Sequence, residues 1–409
     1  MTVVIDAVGV ARVAEAIARS PLVAFDLEFD SRETRVPVLC LVQVSWLADP
    51  IAEPSWDALD ATMVAAICAA PPEIALVDPM VVDAAPIMAA LAAHPRVLAH
   101  APRQDLGIVA ARFGAARATM SGLVDTQLMA AFAGLGEQIG LSALATELLG
   151  VTLDKEQQFT AWQKRPLSAA QLTYAAADVR HLPALYAKLA ARLGRRLAWA
   201  RAETAAIAAE AIAAGTPDVE EAWRDVGGLR GLDAAALGVV AAVATWRLRA
   251  SIALDKPLGQ VLTDKVVVEL ARARPADADA VRETRGLSQA ARGLADEVAA
   301  AIAGAAPMPV SRSPAASPRA QRWADLLLAI AQLVADEAGL ATRLLATRSE
   351  AERFARAVDE HGLAAAAELP ALATWRRDLL GPAWEGFLTG RIMVVGDASS
   401  PHGIALVPR

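Results

Sequence analysis

The strand signals of this chain are confined mainly to about its first 100 residues, and this segregation constrains the fold more than any other feature. Helical stretches at 57–69 and 83–93 alternate with the strands. Polar turn residues between the first two strands indicate a hairpin, and the later alternation of strands and helices indicates an α/β layer fold with a mixed sheet. Four short apolar runs read as strands: "LVAFDLEF" (22–29), "PVLCLVQVSW" (37–46), "IALVDP" (74–79) and "RVLAHA" (96–101).

Helical patterns continue after the last of these strands. Residues 104–114 and 124–134 each predict one helix. Residues 167–194 predict a long helix pair that begins after Ser168, a preferred N-cap residue, and is broken near Pro183. We therefore expect an α/β domain that ends in helices.

Beyond about residue 205 the strand pattern stops and helical patterns dominate. Apolar residues make up 55% of the chain and many of them are alanine, which favours helices. The last four residues, "LVPR", fit a protease-site remnant and a native end equally well. The predicted organisation is an α/β domain (1–205), a helical domain (210–304), a linker rich in Pro, Ser and Ala (305–320), a second helical domain (321–390) and a tail without assigned structure (391–409).

The charge is unevenly distributed along the chain. The net charge is −7, but residues 151–200 carry eight Lys or Arg against three acids, so a local basic surface can still meet a nucleic acid. Cys40 and Cys68 lie in apolar contexts and are expected to be buried free thiols. The amino-terminal segment lacks a basic, apolar signal pattern, and no uncharged apolar run reaches about 18 residues. We expect a cytoplasmic protein without a membrane partner.

Four acids and one tyrosine are the candidate chemical groups. Asp26 and Glu28 alternate with apolar residues, so they point to the same face of one strand. Asp105 opens a helix directly after a strand, where an acid also favours the helix dipole. Tyr174 precedes Asp178 by four residues, so both lie on one helix face.

Four carboxylates from a strand, a helix start and a helix interior could surround two divalent ions. Oxygen ligands suit Mg²⁺ or Mn²⁺, and two such ions about 4 Å apart stabilise both oxygens of a phosphodiester cleavage. A tyrosine hydroxyl is better suited to orienting water than to abstracting its proton. Taken singly, each group also has an ordinary role: a strand-edge pair, a helix-dipole acid, or a half-buried helix face.

Three motifs in this order resemble the DEDD exonucleases. They are "FDLEFDS", "HAPRQDL" and "YAAADVRHL", and the tyrosine four residues before the last aspartate resembles the DEDDy subgroup. The segment from "GLSALATELLG" to "PALYAKL" is similar to the ribonuclease D family. "AWRDVGGLRGLD" and the helical residues after it look like an HRDC domain, and "ATWRRDLLGPAWEGF" resembles a weaker second copy. The resemblance covers about residues 20–390.

The resemblance implies a ribonuclease-H-like (DnaQ-like) α/β exonuclease domain followed by two all-α HRDC-type domains. It implies that Asp26, Glu28, Asp105 and Asp178 hold two divalent ions, Mg²⁺ or Mn²⁺, and that Tyr174 orients the attacking water. The implied activity is 3′-5′ exoribonuclease: removal of single nucleotides from RNA 3′ ends as nucleoside 5′-monophosphates. Precursors of tRNA and other structured RNAs are the implied partners, without an obligate protein partner.

Two other functions stay open at this point. The same domain would act on DNA in proofreading or helicase-linked relatives, but the chain carries no helicase or polymerase motif. A non-catalytic RNA-binding adaptor is the second alternative, and the presence of all four acids with the tyrosine argues against it. Saturable divalent binding distinguishes the enzyme from the adaptor.

Several secondary features have competing interpretations. Structural roles are favoured for His100 and His181 over contact with the site. Gln43 is equally compatible with a substrate contact and a polar contact inside the sheet. A solvated face is the default for three basic residues that could also contact phosphates, Arg103, Lys164 and Arg165. Each helical block repeats a Trp-Arg pair, Trp246-Arg247 and Trp375-Arg376, for which a core role is favoured over base stacking.

Overall fold

The computed structural model describes residues 1–48, 59–154, 156–309, 316–369 and 372–409. Within these residues six strands form one mixed sheet in the order β1-β4-β3-β2-β5-β6. The strands are β1 (Thr2–Val4), β2 (Val23–Asp30), β3 (Val38–Trp46), β4 (Glu73–Val77), β5 (Val97–Ala99) and β6 (Leu123–Asp125). The β2-β3 and β3-β4 pairs are antiparallel and the other neighbours are parallel, which confirms the predicted hairpin and mixed sheet.

Two strands at the sheet edges differ from the sequence prediction. Strand β1 was not predicted, and β6 occupies the start of the stretch 124–134 that was predicted to be helical throughout. The helix there begins only at Thr126, after Asp125 caps it by accepting a hydrogen bond from the Gln127 amide. A strand of three residues is too short to show a periodicity, so only its pairing with a neighbour defines it.

Ten helices of the described residues surround or extend this sheet. The helix predicted at 57–69 begins at Ala61, and residues 57 and 58 of that prediction lie outside the described residues. The helices are α1 (Ala7–Arg19), α2 (Ala61–Ala69), α3 (Ala85–Ala93), α4 (Arg103–Phe113), α5 (Ala115–Ala118), α6 (Thr126–Phe132), α7 (Leu141–Leu149), α8 (Ala169–Arg180), α9 (Leu182–Leu193) and α10 (Arg196–Gly215). Helix α10 runs through residue 205, where the first domain was predicted to end.

The predicted helix pair at 167–194 is confirmed as α8 and α9. Ser168 caps α8 in a capping box, in which its side chain accepts from the Gln171 amide and Gln171 reciprocates. The break lies at His181, two residues before Pro183, because proline is favoured in a helix's first turn and cannot continue the helix before it. Helix α8 then packs across β2, β3 and β4.

The rest of the chain is helical until its last residues, as predicted. A short 3-10 turn (Ala222–Asp225) precedes the first set of helices, and α17 begins at Pro318, inside the segment predicted as linker. Residues 310–315 of that linker lie outside the described residues. The helices are α11 (Ala234–Leu254), α12 (Leu258–Val261), α13 (Asp264–Ala273), α14 (Ala278–Arg282), α15 (Gln289–Gly293), α16 (Ala295–Ala303), α17 (Pro318–Glu337), α18 (Thr342–Leu345), α19 (Arg348–His361), α20 (Leu363–Ala366) and α21 (Trp375–Leu388).

The tail, for which the sequence predicted no structure, is a hairpin of β7 (Ile392–Gly396) and β8 (Ile404–Pro408). The "LVPR" residues belong to it: Leu406 pairs with Val394 in the ladder, and the Arg409 amide donates to the Arg391 carbonyl. Each strand has only five residues and shows no clear period of two, so the pairing of the two strands identifies the hairpin.

The second helical block packs directly on the α/β domain. The Trp375 ring lies edge-on to Phe132 with ring centres 4.9 Å apart, and it stacks on Trp199 at 5.5 Å. Arg376 adds an ion pair to Glu203 at 2.9 Å. Buried aromatic pairs of this kind are worth more than their area alone, so α10 and α21 share one core.

The first helical block has a core of its own around α11. Trp246 is 8% exposed and donates to Glu297, and its neighbour Arg247 is buried and paired with Asp264 at 2.7 Å. Together with the buried Trp375, this confirms the core role of both tryptophans. Among the described residues, α11 is the helix with the length and apolar composition of a membrane span, and 56% of its apolar window is buried in this core. Because α11 contains Arg247 and Arg249, it has no uncharged apolar run of 18 residues.

Both cysteines are free thiols, as predicted. Cys40 is fully buried in β3, but Cys68 is exposed near the end of α2, which corrects the expectation that both are buried. Successive residues of a helix point in different directions: Ile67, next to Cys68, is buried, whereas Cys68 lies on the exposed face of α2.

Candidate active site

Three of the predicted acids come together where α8 crosses β2. Asp26 and Glu28 are two residues apart on β2 and face α8, which carries Asp178. One carboxylate oxygen from each of the three lies within 4.8 Å of the others. The two acids of the strand and the acid of the helix therefore bring their carboxylate oxygens into one small cluster. Hard divalent ions prefer oxygen ligands of this kind.

Asp105 lies beside this cluster without belonging to it. It occupies the first turn of α4, which follows β5, and β5 runs parallel to β2 as its neighbour. Its side chain is buried, and burial followed by the negative charge of Asp26 raises its pKa. Asp26, Glu28 and Asp178 thus form a group of three carboxylates, and Asp105 lies next to this group on the side of Asp26.

Burial dominates the electrostatics of these acids. It raises the pKa of Glu28 to about 10, and the charges of Asp26, Asp178 and Asp105 raise it further. The same cause raises the pKa of Asp26 and of Asp178. Among the described residues none of the four has an ion pair to lysine or arginine, and Oδ2 of Asp178 is buried without a hydrogen-bond partner. Such a site favours an added cation, because a cation would stabilise the ionised acids.

Tyr174 lies one turn before Asp178 on α8, as the spacing predicted. Its ring packs on Trp162 with centres 6.1 Å apart. Burial, and then the charges of Asp178, Glu28 and Asp26, raise the pKa of its hydroxyl above the ordinary value. The phenol therefore stays protonated and can orient a water molecule by hydrogen bonding, but it is a poor base.

A β-bulge shapes the strand that carries the first two acids. Glu28 lies opposite Leu41 and Phe29 opposite Leu39, so Cys40 is left without a partner in the ladder. Its carbonyl oxygen accepts a 2.7 Å hydrogen bond from Arg165 instead. The bulge is thus closed by a side chain from the loop that precedes α8.

Arg165 is a structural residue and not a solvated or phosphate-binding one, which corrects both earlier interpretations of it. Its guanidinium binds the buried Asp78 through two hydrogen bonds of 2.6 and 2.8 Å. It also donates to the Trp162 carbonyl at 2.7 Å, behind the aromatic pair that supports Tyr174. The other two candidates behave as surface residues: Arg103 pairs with Glu210 at 3.0 Å, and Lys164 is exposed.

His100 has the structural role that was favoured for it. Its ring nitrogens lie 2.9 Å from the Thr126 hydroxyl and 3.0 Å from the Ile139 carbonyl. Burial lowers the pKa of His100 to about 4, so it is neutral at physiological pH. His181 lies between α8 and α9, where burial and then the charge of Arg180 lower its pKa.

Three further residues lie on β3 and on the loop before α8; the sequence left the role of Gln43 open and did not indicate Ser45 or Phe159. Gln43 is fully buried opposite Asp26, and Ser45, on the same strand face, donates to the Val179 carbonyl at 2.8 Å. Phe159 is 92% exposed on the loop before α8. In the sequence, each of these residues differs in polarity from its neighbours. Gln43 and Ser45 are polar residues in an apolar strand, and Phe159 is an apolar residue in a polar loop.

The loop that carries Phe159 connects α7 to α8 and contacts the end of β2. The Gln163 side chain hydrogen bonds Asp30 at the end of β2, and the Thr160 hydroxyl accepts from Gln171 in the first turn of α8. With Arg165 anchored to Asp78, the end of this loop nearest α8 is held at several points. Phe159 lies just before this anchored end, three residues from Trp162, whose ring packs on Tyr174.

The fold and the cluster define a class of enzyme. Residues 1–194, which form the six-stranded sheet and carry the acids on β2, α4 and α8, match the family model described as 3′-5′ exonuclease. A second family model, the HRDC domain, matches residues 236–302 and so covers most of the first helical block. The chain is a 3′-5′ exonuclease followed by a helical region.

Comparisons over the whole length narrow the class to one family. The chain is 34% identical to the ribonuclease D of Acidiphilium cryptum, over 91% of this chain and 88% of that protein. It is also 34% identical to the ribonuclease D of Gluconacetobacter diazotrophicus, over 95% and 92%. The crystal structure of Escherichia coli RNase D superposes with a TM-score of 0.76 at 26% identity, covering 95% of this chain and 98% of that one. This chain belongs to the ribonuclease D family.

Family membership gives the activity at a coarse level. The chain is a hydrolase, a 3′-5′ exoribonuclease that acts on RNA and depends on divalent metal ions. The predicted family, the fold class and the reaction class are thereby confirmed. The residues present fit the metal, because three carboxylates converge within 4.8 Å and offer the oxygen ligands that hard divalent ions prefer.

Proposed function

We propose that this enzyme trims 3′-extended precursors of tRNA and other structured RNAs, one nucleotide at a time, by hydrolysis supported by two divalent ions. The observation that carries the proposal is the convergence of Asp26, Glu28 and Asp178 within 4.8 Å, with Asp105 on the Asp26 side. Gathering four buried or half-buried acids without a cation is costly, because the acids repel one another and lose their hydration.

Each acid has a distinct place in the proposed site. Asp26, Glu28 and Asp178 would hold one ion, and Asp26 with Asp105 would hold the other. Mg²⁺ and Mn²⁺ both suit an all-oxygen donor set, so the site itself does not choose between them. When bound, two such ions lower the pKa of a water and stabilise the charge on the attacking and leaving oxygens.

The chain's own residues set the direction of attack. Tyr174 keeps its proton and donates a hydrogen bond that orients the water beside Asp178. The water oxygen forms a bond to the terminal phosphorus, and the bond from that phosphorus to the 3′ oxygen of the preceding nucleotide breaks. The 3′ oxygen takes up a proton, and the released nucleotide keeps its 5′ phosphate. The products are a nucleoside 5′-monophosphate and an RNA shortened by one residue.

An exposed aromatic ring in the loop before α8 supports single-stranded RNA as the substrate. Phe159 is 92% exposed and lies three residues before Trp162, which packs on Tyr174, and nucleobases stack on such rings regardless of sequence. The solved relative from Escherichia coli is described as an exoribonuclease involved in structured RNA processing, which supports structured RNAs with short 3′ tails. We place this activity in the cytoplasm, where the free thiols of Cys40 and Cys68 would remain reduced.

The deciding experiment is digestion of a 3′-extended tRNA precursor with and without Mn²⁺. Wild type and Asp178→Asn are compared, with Glu15→Gln as the control because Glu15 is an exposed acid far from the cluster. We expect Mn²⁺-dependent release of single 5′-monophosphates by wild type and Glu15→Gln, and none by Asp178→Asn. Wild-type rates in Asp178→Asn would refute the two-ion site.

Parallel assays separate the two rival functions. Faster digestion of a matched DNA oligonucleotide than of RNA would make DNA the substrate. Trimming of neither substrate, combined with calorimetry that shows no saturable Mn²⁺ binding, would favour the non-catalytic adaptor.

A further inference from the structure

Gln43 is a buried polar residue that the chemistry described so far does not use. It lies in the middle of β3, is 0% exposed, and has neither its Oε1 nor its Nε2 atom in a hydrogen bond with any described residue. A buried amide without partners costs free energy, and native proteins rarely keep one without a reason. An apolar side chain of similar length would satisfy the packing of this position better.

The sheet register places Gln43 beside the carboxylate cluster. Its partner across the β2-β3 ladder is Asp26, and its partner across the β3-β4 ladder is Leu76. Side chains opposite each other on neighbouring strands lie on the same face of the sheet. Gln43 and Asp26 therefore share the face that α8 covers.

Helix α8 lies directly above this pair. Ser45, two residues from Gln43 on the same face of β3, hydrogen bonds the carbonyl of Val179, which follows Asp178. Asp178 also lies within 4.8 Å of Asp26 through their carboxylate oxygens. Gln43 thus lies under the segment of α8 that carries Asp178.

Asp178 carries a hydrogen-bond acceptor without a partner in the described part of the chain, on the same side of the sheet as the unpaired amide of Gln43. Oδ2 of Asp178 is buried and has no hydrogen-bond partner among the described residues. Asp178 contributes one carboxylate oxygen to the cluster, and its Oδ2 atom makes no hydrogen bond with a described residue that would orient the group. Metal-binding side chains are generally oriented by a hydrogen bond to their remaining polar atom.

We propose that Gln43 is a positioning residue of the active site, whose amide nitrogen donates a hydrogen bond to Oδ2 of Asp178 when divalent ions are bound. That bond leaves the other oxygen of Asp178 free to bind metal and fixes it relative to Asp26. Gln43 touches neither the RNA nor the ion. This inference rests on the proposed two-ion site and adds the residue that orients it.

The test compares Gln43→Met with Leu76→Met. Methionine keeps the unbranched shape of glutamine but removes the amide, and Leu76 is the buried neighbour of Gln43 in the same layer. Two quantities are measured without RNA: Mn²⁺ affinity by calorimetry, and the melting temperature of the metal-free protein. Trimming of the tRNA precursor is a third readout.

We expect Gln43→Met to bind Mn²⁺ about 10- to 100-fold more weakly, the usual effect of removing a residue that orients a metal ligand. Its metal-free melting temperature should equal or exceed that of wild type, because an unsatisfied buried amide has been removed. Leu76→Met should keep wild-type Mn²⁺ affinity. A merely structural role for Gln43 would give the opposite pattern: a lower melting temperature with unchanged Mn²⁺ affinity, which would overturn the proposal.

A measurement on the unmodified protein guards against a variant that does not fold. The side-chain amide resonance of Gln43, identified by its proximity to the Leu76 methyl groups, is followed by NMR during a Mg²⁺ titration. We expect a shift and slower hydrogen exchange at saturation. If wild type binds Mg²⁺ and this amide does not respond, only the role of Gln43 is refuted. If wild type binds no divalent ion, both this inference and the two-ion site are refuted.

Discussion

The hydroxyl of Ser45 donates a 2.8 Å hydrogen bond to the carbonyl oxygen of Val179. In an uninterrupted helix that carbonyl would accept from the amide four residues later, but the residue there is Pro183, which has no N–H. Strand β3 therefore supplies the donor that the helix lacks, one residue after Asp178. The bond ties the third acid of the cluster to the strand beside the first two.

Removal of this bond should weaken both the fold and the site. Ser45→Ala leaves a buried carbonyl unsatisfied, which costs about 1–3 kcal/mol in free energy of unfolding. RNA trimming should also slow, because Asp178 is no longer fixed against β3. Urea denaturation and steady-state kinetics measure the two effects. Thr173→Ala is the control, since the Thr173 hydroxyl binds the Ala169 carbonyl on the exposed face of the same helix. Equal stability of the two variants would contradict the role of Ser45.

Tyr174→Phe should lower kcat by about 100-fold, near the lower end of the range for groups that act on proton transfer. The fold and Mn²⁺ affinity should not change, because in the proposed mechanism the hydroxyl orients water, and it is not among the carboxylates that converge. Tyr186 is the chain's other tyrosine and lies buried in α9, so Tyr186→Phe is a matched control with an expected wild-type kcat. Single-turnover kinetics with calorimetry check both claims. A wild-type kcat in Tyr174→Phe would remove the water-orienting role.

Arg165→Leu should destabilise the protein by about 3 kcal/mol, the low end for breaking a buried ion pair. The low end applies because the Arg165 side chain is 26% exposed, although Asp78 is only 7% exposed. Lysine should not rescue the stability, because it cannot bind Asp78 and the Cys40 carbonyl at once. Urea unfolding of Arg165→Leu, Arg165→Lys and the exposed control Lys164→Ala tests this. Full stability of Arg165→Lys would show that charge alone holds the loop.

The stability of the metal-free enzyme should fall as pH rises. Folding raises the pKa of Glu28 from 4.5 to about 10, so across this window the folded state binds more protons than the unfolded state. Its contribution to stability is complete below 4.5 and is lost as pH rises through the window. The raised pKa values of Asp26 and Asp178 act in the same direction. Divalent ions should restore stability at the alkaline end, where they replace the lost protons.

Thermal unfolding in chelator, across this pH range and with Mg²⁺ added back, measures the effect. Glu28→Gln is the informative variant, because an amide cannot titrate and the pH dependence should become flatter. A melting temperature of the chelated wild type that rises with pH would show that these acids are ionised without metal.

Phe159→Ala should weaken RNA binding by about 1–3 kcal/mol, the usual worth of one base stacked on an aromatic ring. The effect should appear in KM and leave kcat nearly unchanged, because Phe159 is an exposed loop residue and not one of the converging acids. Phe159→Trp should retain wild-type KM. Ile252→Ala is the control, since Ile252 is 51% exposed in the first helical block. A wild-type KM in Phe159→Ala would mean that the nucleobase does not stack there.

Features that depend on local periodicity could be predicted from the sequence. The alternation of Asp26 and Glu28 places both on one strand face, and a spacing of four places Tyr174 above Asp178 on one helix face. The cap at Ser168 follows in the same way from neighbouring residues. Helices and strands repeat over a few residues, so these arrangements follow from the pattern before any tertiary contact forms.

Features that depend on contacts between distant residues were decided by the tertiary structure. Arg165 and Asp78 are 87 residues apart in the sequence, and Ser45 and Val179 are 134 residues apart. No local sequence pattern therefore predicts either hydrogen bond. The edge strands β1 and β6, three residues each, exist because a neighbour pairs with them.

The candidate site also combines features set by local periodicity with features set by distant contacts. The four acids, the tyrosine and the face of its helix or strand that each occupies follow from the residue pattern alone. The convergence of three acids, the place of Asp105 beside Asp26 and the burial of Gln43 under them arise only in the folded chain. A side chain's direction follows from its own backbone, whereas its neighbours and its burial depend on how separate elements pack together.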